Sequence, residues 1–135
     1  MADYTRVNLK DDVEDSATKH GLAPNIEARF ASEDLELDKA GISYQRLAPN
    51  FRLPFGHRHK KQEEVYVILS GGGRMKLGDE IVEVRRWDAV RVPPETERSV
   101  EAGPEGVELI AFGAPRAGRE SAPADAEPLP GWWTD

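Results

Sequence analysis

His57 and His59, two of the three histidines in the 135-residue chain, stand one residue apart in the stretch "PFGHRHKKQEEVYVILSGGG". On an extended strand, side chains two positions apart project from the same face. Two imidazoles side by side can share one cation, and a carboxylate from a following strand would complete a mixed nitrogen and oxygen donor set. Such a set with open positions suits iron(II), manganese, nickel, copper or zinc rather than calcium. Glu63 and Glu64 come almost at once, but strand neighbours face opposite ways, so only one can join the histidines. Spacing across the intervening turn leaves open which one. Taken alone, the pattern equally describes a solvated strand edge whose polar residues serve solubility.

Composition narrows the chemistry. The chain has no cysteine, which removes disulfides, cysteine zinc sites and thiol catalysis together. Its formal charge is −7, and its densest basic run, "HRHKK", leads directly into "EE". Nucleic-acid binding needs a basic stripe that displaces counterions, so no nucleic-acid partner is expected. The N-terminal "MADYTRVNLKDDVEDS" lacks the apolar core of a signal peptide, and the longest apolar run falls far short of a membrane span. These features predict a cytoplasmic protein with no membrane partner.

The elements that must position the histidines read as strands. "KDDVEDSATKHG" places acidic residues first, Lys19 and His20 last and Gly21 beyond, which predicts a short helix with a glycine stop. "NIEARF" and "ISYQRLA" alternate as half-buried strands do. From Glu63 onward, short β-type runs are broken by Gly, Pro and Asp: "EEVYVILS", "RMKL", "IVEV", "DAVRV", "RSVEA" and "VELIAF". Regular short strands of this kind predict an all-β barrel or sandwich. The apolar residues of "EEVYVILS" occupy both faces, as in a strand covered on both sides. After Phe112 a Pro-, Ala- and Gly-rich tail carries no period and reads as irregular. It ends in Trp132 and Trp133, of which at least one should dock on the barrel or on a second subunit.

With these residues in place, the chain resembles the cupin superfamily, in its small single-domain form. The family's first motif, G-x5-H-x-H-x3,4-E-x6-G, is met at His57, His59, Glu64 and Gly71, with Phe51 at the first glycine position. The spacing to Gly71 selects Glu64 over Glu63. The second motif, G-x5-P-x-G-x2-H-x3-N, falls on "WDAVRVPPETERSVEA", where only Pro93 agrees; Trp87, Glu95, Arg98 and Ala102 occupy the other marked positions. The resemblance runs from about residue 42 to residue 112. It implies a double-stranded β-helix or jelly-roll barrel over 41–113, flanked by an N-terminal helix and strand over 1–40 and the tail over 114–135. It also implies metal ligands at His57, His59 and Glu64, and a homodimer.

Arg98 stands where the family has a further ligand histidine. Guanidinium has no free lone pair and stays protonated, so it cannot replace that ligand. Two arrangements are open: a three-ligand metal site with Arg98 nearby as an anchor for an anionic ligand, or Arg98 turned onto Glu64 as a bidentate pair that excludes the ion. Tyr44 and Arg46 share a strand face and would line the pocket if that face points inward, and Tyr66 is a further candidate for the substrate. Trp87 should cover one end of the barrel, His20 reads as a helix-terminal residue, and "GGG" at 71–73 reads as a flexible turn. Three functions fit these features: a metal-dependent enzyme such as a dioxygenase acting on a small organic molecule, a metal-free isomerase or epimerase, and a non-catalytic small-ligand module.

Overall fold

The computed structural model describes residues 2–116 and 125–134. Near the N-terminus the expected helix is a single turn at Thr18–His20, closed by Gly21 in the left-handed conformation with φ 69°. Two of the acidic side chains that were to favour a helix bond to backbone amides instead. Asp15 Oδ1 accepts from the N–H groups of Ala17 and Ala28, and Asp12 Oδ2 accepts from that of Asn8. Such side-chain bonds offer the backbone an alternative to the helical ladder.

Eight strands among the described residues form one curled sheet: β1 (Ile26–Phe30), β2 (Gly41–Leu47), β3 (Phe55–His59), β4 (Glu63–Leu77), β5 (Glu80–Arg85), β6 (Ala89–Val92), β7 (Arg98–Ala114) and β8 (Ala126–Pro130). The pairing runs β1-β2-β7-β3-β8, while β4 pairs with β5, β6 and β7. The long strands β4 and β7 are the frame, since each serves several neighbours along its length. Their inward side chains, among them Tyr66, Ile68, Met75, Val100 and Leu109, form one buried core with Leu47, Val84 and Val92.

Two breaks predicted from glycine and proline are absent. Gly71–Gly73 lie inside β4, and Gly103-Pro104 lies inside β7. The reason is close approach of backbones, not flexibility. A Cβ on Gly71 would sit 2.0 Å from the Gly106 carbonyl oxygen, and one on Gly73 would sit 2.0 Å from that of Glu101. The register shifts at this point, so the glycines mark bulges where the two long strands bend together.

The tail contributes a strand. β8 pairs antiparallel with β3, with Pro128 opposite His57 and Ala126 opposite His59. Pro128 and Pro130 are tolerated because β8 is the last strand on its side of the sheet. Beyond it, Trp133 is 5% exposed, with Arg52 stacked 4.2 Å from its ring. Lys76 stands 4.6 Å over Trp132. The irregular stretch expected at 117–124 lies outside the described residues. Trp87 does not cover the barrel: it is 66% exposed, adopts φ 77° and stacks with Arg86. No helix among the described residues is long and apolar enough to cross a membrane.

Candidate functional site

β3 holds His57 and His59 on its inner face, as the two-residue spacing requires, and β4 carries Glu64 inward beside them while Glu63 points out. The three side chains offer ligand atoms that all lie within 4.8 Å of one another. Glu64 Oε1 is 3.4 Å from His57 Nε2 and 3.3 Å from His59 Nε2. Donors each about 2.1 Å from one ion and at about 90–110° to each other are separated by roughly 3.0–3.4 Å, so the nitrogen–oxygen spacings fit a shared transition-metal ion. The donor chemistry fits as well: two imidazoles and one carboxylate are a borderline set suited to such ions.

Two of the three ligands are held by further partners. His59 is 7% exposed, and its Nδ1 lies 3.1 Å from Asp125 Oδ2. The same carboxylate accepts from the backbone N–H groups of Lys61 and Gln62, which fastens the β3–β4 turn to the start of β8. Donation from Nδ1 to this carboxylate orients the ring, so that Nε2, which bears a proton towards Glu64 in the metal-free site, becomes the ligand nitrogen once that proton is displaced. Tyr66 donates its hydroxyl to Glu64 Oε1 at 2.9 Å. Burial, the Glu64 charge and this hydrogen bond push the Tyr66 phenol up, against a smaller opposing pull from Arg98, so it stays a neutral donor. For Glu64, burial pushes the carboxyl up, but hydrogen bonds from His57 and His59 more than reverse this and hold it well below the usual carboxylate range.

Arg98 adopts neither arrangement that the sequence left open. It is fully buried, directly across the β3–β7 ladder from His57. Its Nη1 donates to Pro94 O, and its Nη2 donates to Pro93 O and Val92 O. Its Nε lies 3.9 Å from Glu64 Oε1 and has no hydrogen-bond partner among the described residues. The guanidinium therefore braces the loop after β6 and presents charge to the triad from behind, without a bidentate pair.

In front of the triad lies a cavity of about 530 Å³, lined by His57, His59, Glu64 and Tyr66 among others. Tyr44 and Arg46 are not part of it, which corrects their expected inward facing: Ser43 and Gln45 line the cavity instead. The one-residue difference turns Tyr44 outward, where its hydroxyl bonds Glu108 at 2.7 Å, and sends Arg46 to Glu27. Arg98 is not among the lining residues either. His20 does line the cavity, because the Ser16–Leu22 segment folds over it. Asp125 and the neutral polar lining were missed from sequence. A larger open depression of about 860 Å³ around Gly71–Gly73 and Glu101 shares no residue with the triad cavity.

No family model matches the chain. An uncharacterised protein of Methanocaldococcus jannaschii is 42% identical over 45 residues, which cover 33% of this chain and 36% of that protein. Among solved structures, a cupin protein from Bacteroides fragilis is 24% identical with a TM-score of 0.69, covering 87% of this chain and 88% of its own. A single-substitution variant of oxalate decarboxylase from B. subtilis is 20% identical with a TM-score of 0.74, covering 96% of this chain and 34% of its own. A salicylate 1,2-dioxygenase from Pseudaminobacter salicylatoxidans is 15% identical with a TM-score of 0.67, over 87% of this chain and 34% of its own. The chain has the cupin fold.

Proposed function

We propose that this cupin-fold chain is a metal-dependent enzyme in which His57, His59 and Glu64 hold a divalent transition metal, with substrate entering the adjoining cavity. The observation that carries this reading is the convergence of three ligand atoms within 4.8 Å of one another at the wall of a cavity that all three residues line. Solved neighbours that include an oxalate decarboxylase and a salicylate dioxygenase support an enzymatic role for such a site. Iron(II), manganese, nickel, copper or zinc would supply Lewis-acid or redox chemistry at open coordination positions. The chain's own residues do the rest. Asp125 orients His59, Tyr66 holds one Glu64 oxygen, and the folded-over Ser16–Leu22 segment limits access of water.

The space between Glu64 Oε1 and the two Nε2 atoms accommodates a proton or a cation, not both, so metal uptake should release protons. The test is metal analysis of protein purified without chelators, with calorimetric titration of the apo protein by zinc or manganese. Stoichiometric binding that disappears in His57→Ala/His59→Ala is the expected result. Tight binding that survives the double change would refute the site.

A second reading rests on Arg98. Its cationic Nε stands 3.9 Å from Glu64 and stabilises the carboxylate without any metal. In a metal-free isomerase or a ligand-binding module, His57, which is 30% exposed at its side chain, would be the group that meets the ligand. Metal-free protein that carries a bound metabolite would favour this reading.

A further inference from the structure

The walls of the triad cavity are chemically one-sided. Leu22, Ile26, Ala28, Leu53, Phe55 and Pro128 supply apolar surface from five parts of the fold. The polar groups away from the triad are neutral hydroxyls and amides such as Ser43, Gln45 and Gln62, together with His20. Among the described residues no lysine or arginine lines the cavity. Strand alternation is the cause. β1 turns Ala28 inward and Arg29 outward, β2 turns Gln45 inward and Arg46 outward, and β3 turns His57 inward and Arg58 outward. Arg29 and Arg46 are spent on Glu27, and Arg58 on Glu127. Arg98, the other cation near the triad, is fully buried and donates to three carbonyls. A volume of about 530 Å³ is in the range of pockets for organic ligands and far exceeds what a two-carbon diacid fills.

We infer that this cavity takes a small molecule with one oxygen-bearing head, directed at the triad, and an apolar body of at least aromatic-ring size, rather than a small polyanion. This rests on the metal-site reading for the head, whereas the body is argued from the walls alone. The triad lies at one end with Arg98 buried behind it, and among the described residues no lysine or arginine along the walls compensates a second anionic group. A second carboxylate would be desolvated against leucine and phenylalanine side chains with no lysine or arginine to pair with, the exposed His20 being the one basic side chain beyond the triad among the described lining residues.

Two probes with the same head and different bodies test it on the zinc-loaded protein by titration calorimetry. Benzohydroxamate should bind at least about tenfold more tightly than acetohydroxamate, because ring burial adds apolar contact without changing the head. Oxalate should bind more weakly than benzohydroxamate. Ala28→Trp, which fills the cavity, should abolish the preference and leave acetohydroxamate within about twofold; Ala126→Trp on β8 serves if that variant does not fold. Equal affinity of the two hydroxamates in the wild type, or tighter oxalate binding, would overturn the inference. If zinc does not bind, the metal reading falls, and the cavity is then decided on the apo protein by ligand-observed NMR. Benzamide binding without acetamide binding sustains the apolar body, and the absence of any difference overturns it.

Discussion

Asp125→Ala should weaken zinc binding far more than its distance from the metal suggests. The Asp125 carboxylate faces three donors at 3.1 Å: His59 Nδ1 and the N–H groups of Lys61 and Gln62. With an 11% exposed side chain it is shielded from competing water. Loss of a carboxylate that orients a ligand imidazole typically costs 10–100-fold in metal affinity, or about 1.4–2.7 kcal/mol. The alanine variant belongs near the upper end, because the turn between His59 and Glu64 also loses its two anchors. Asp125→Asn keeps one acceptor oxygen and loses the charge, so it belongs near the lower end. The apo protein should lose only about 1–2 kcal/mol of stability, since Lys61 is exposed and its N–H regains water. Zinc calorimetry paired with denaturant unfolding of the apo protein separates the two effects. Glu127→Ala is the control, because that residue, on β8, pairs outward with Arg58 across the β3–β8 ladder and takes no part in the bonds to His59. Zinc affinity within about twofold of wild type in Asp125→Ala, alongside a clear loss in His59→Ala, would refute the orienting role.

Other outcomes follow from the same geometry. Glu27 is pushed up by burial, but Arg29, Lys10 and Arg46 more than offset this and bring it from 4.5 down to about 2. A depressed carboxyl stabilises the fold above its unfolded value, so this contribution is complete above about pH 4.5 and is lost as pH falls towards 2. At roughly 1.4 kcal/mol per pH unit the full difference sets a ceiling of about 3 kcal/mol, which solvent screening around the half-exposed Lys10 and Arg46 reduces to about 1–2 kcal/mol, and Glu27→Gln should flatten the stability profile in that window when followed by urea unfolding. Ile42, Phe112 and Val65 stand in register across β2, β7 and β4 on the outer face, with Phe112 46% exposed. A second copy is expected to cover this row, and Phe112→Lys should convert a dimer into a monomer by light scattering; a wild type that is monomeric at micromolar concentration would sink this expectation. Arg98→His should raise zinc affinity at least about tenfold while lowering apo stability, because it exchanges a cation for a lone pair and leaves three carbonyls without their donors; unchanged zinc affinity in a folded variant would count against an electrostatic role.

Local spacing carried much of the site and little of its surroundings. The H-x-H period was sufficient to put both imidazoles on one face, whereas the choice of Glu64 over Glu63 came from the motif of the family that the chain resembles. Facing across a loop was not legible in the same way. Tyr44 and Gln45 differ by one position, and which of them looks inward depends on the register of β2 against β7, which no residue of β2 announces. Asp125 is further out of reach. It lies 66 residues from His59 in a stretch whose prolines argue against a strand, and only the pairing of β8 with β3 brings the two together. The glycines at 71–73 misled in the opposite sense, because a close approach of two backbones and a flexible turn make the same demand on a side chain. The outer face of β4 is instructive: its residues read as covered on both sides, yet Val65 and Val67 are only half-buried in one chain, which is why a second copy is expected there.

Arg98 connects the stability of the barrel to the strength of the site. Unit charges about 4 Å apart near a protein surface interact by about 4 kcal/mol at an effective dielectric of 20, so a guanidinium 3.9 Å from Glu64 competes strongly with any cation for that carboxylate. The same side chain satisfies the carbonyls of Val92, Pro93 and Pro94, where the two prolines bring no N–H groups of their own. A residue with both duties cannot be exchanged for a better ligand without loosening the loop after β6. The triad should accordingly hold its metal more weakly and exchange it faster than a four-ligand set, while the barrel around it keeps the donors that a histidine at this position could not supply in full.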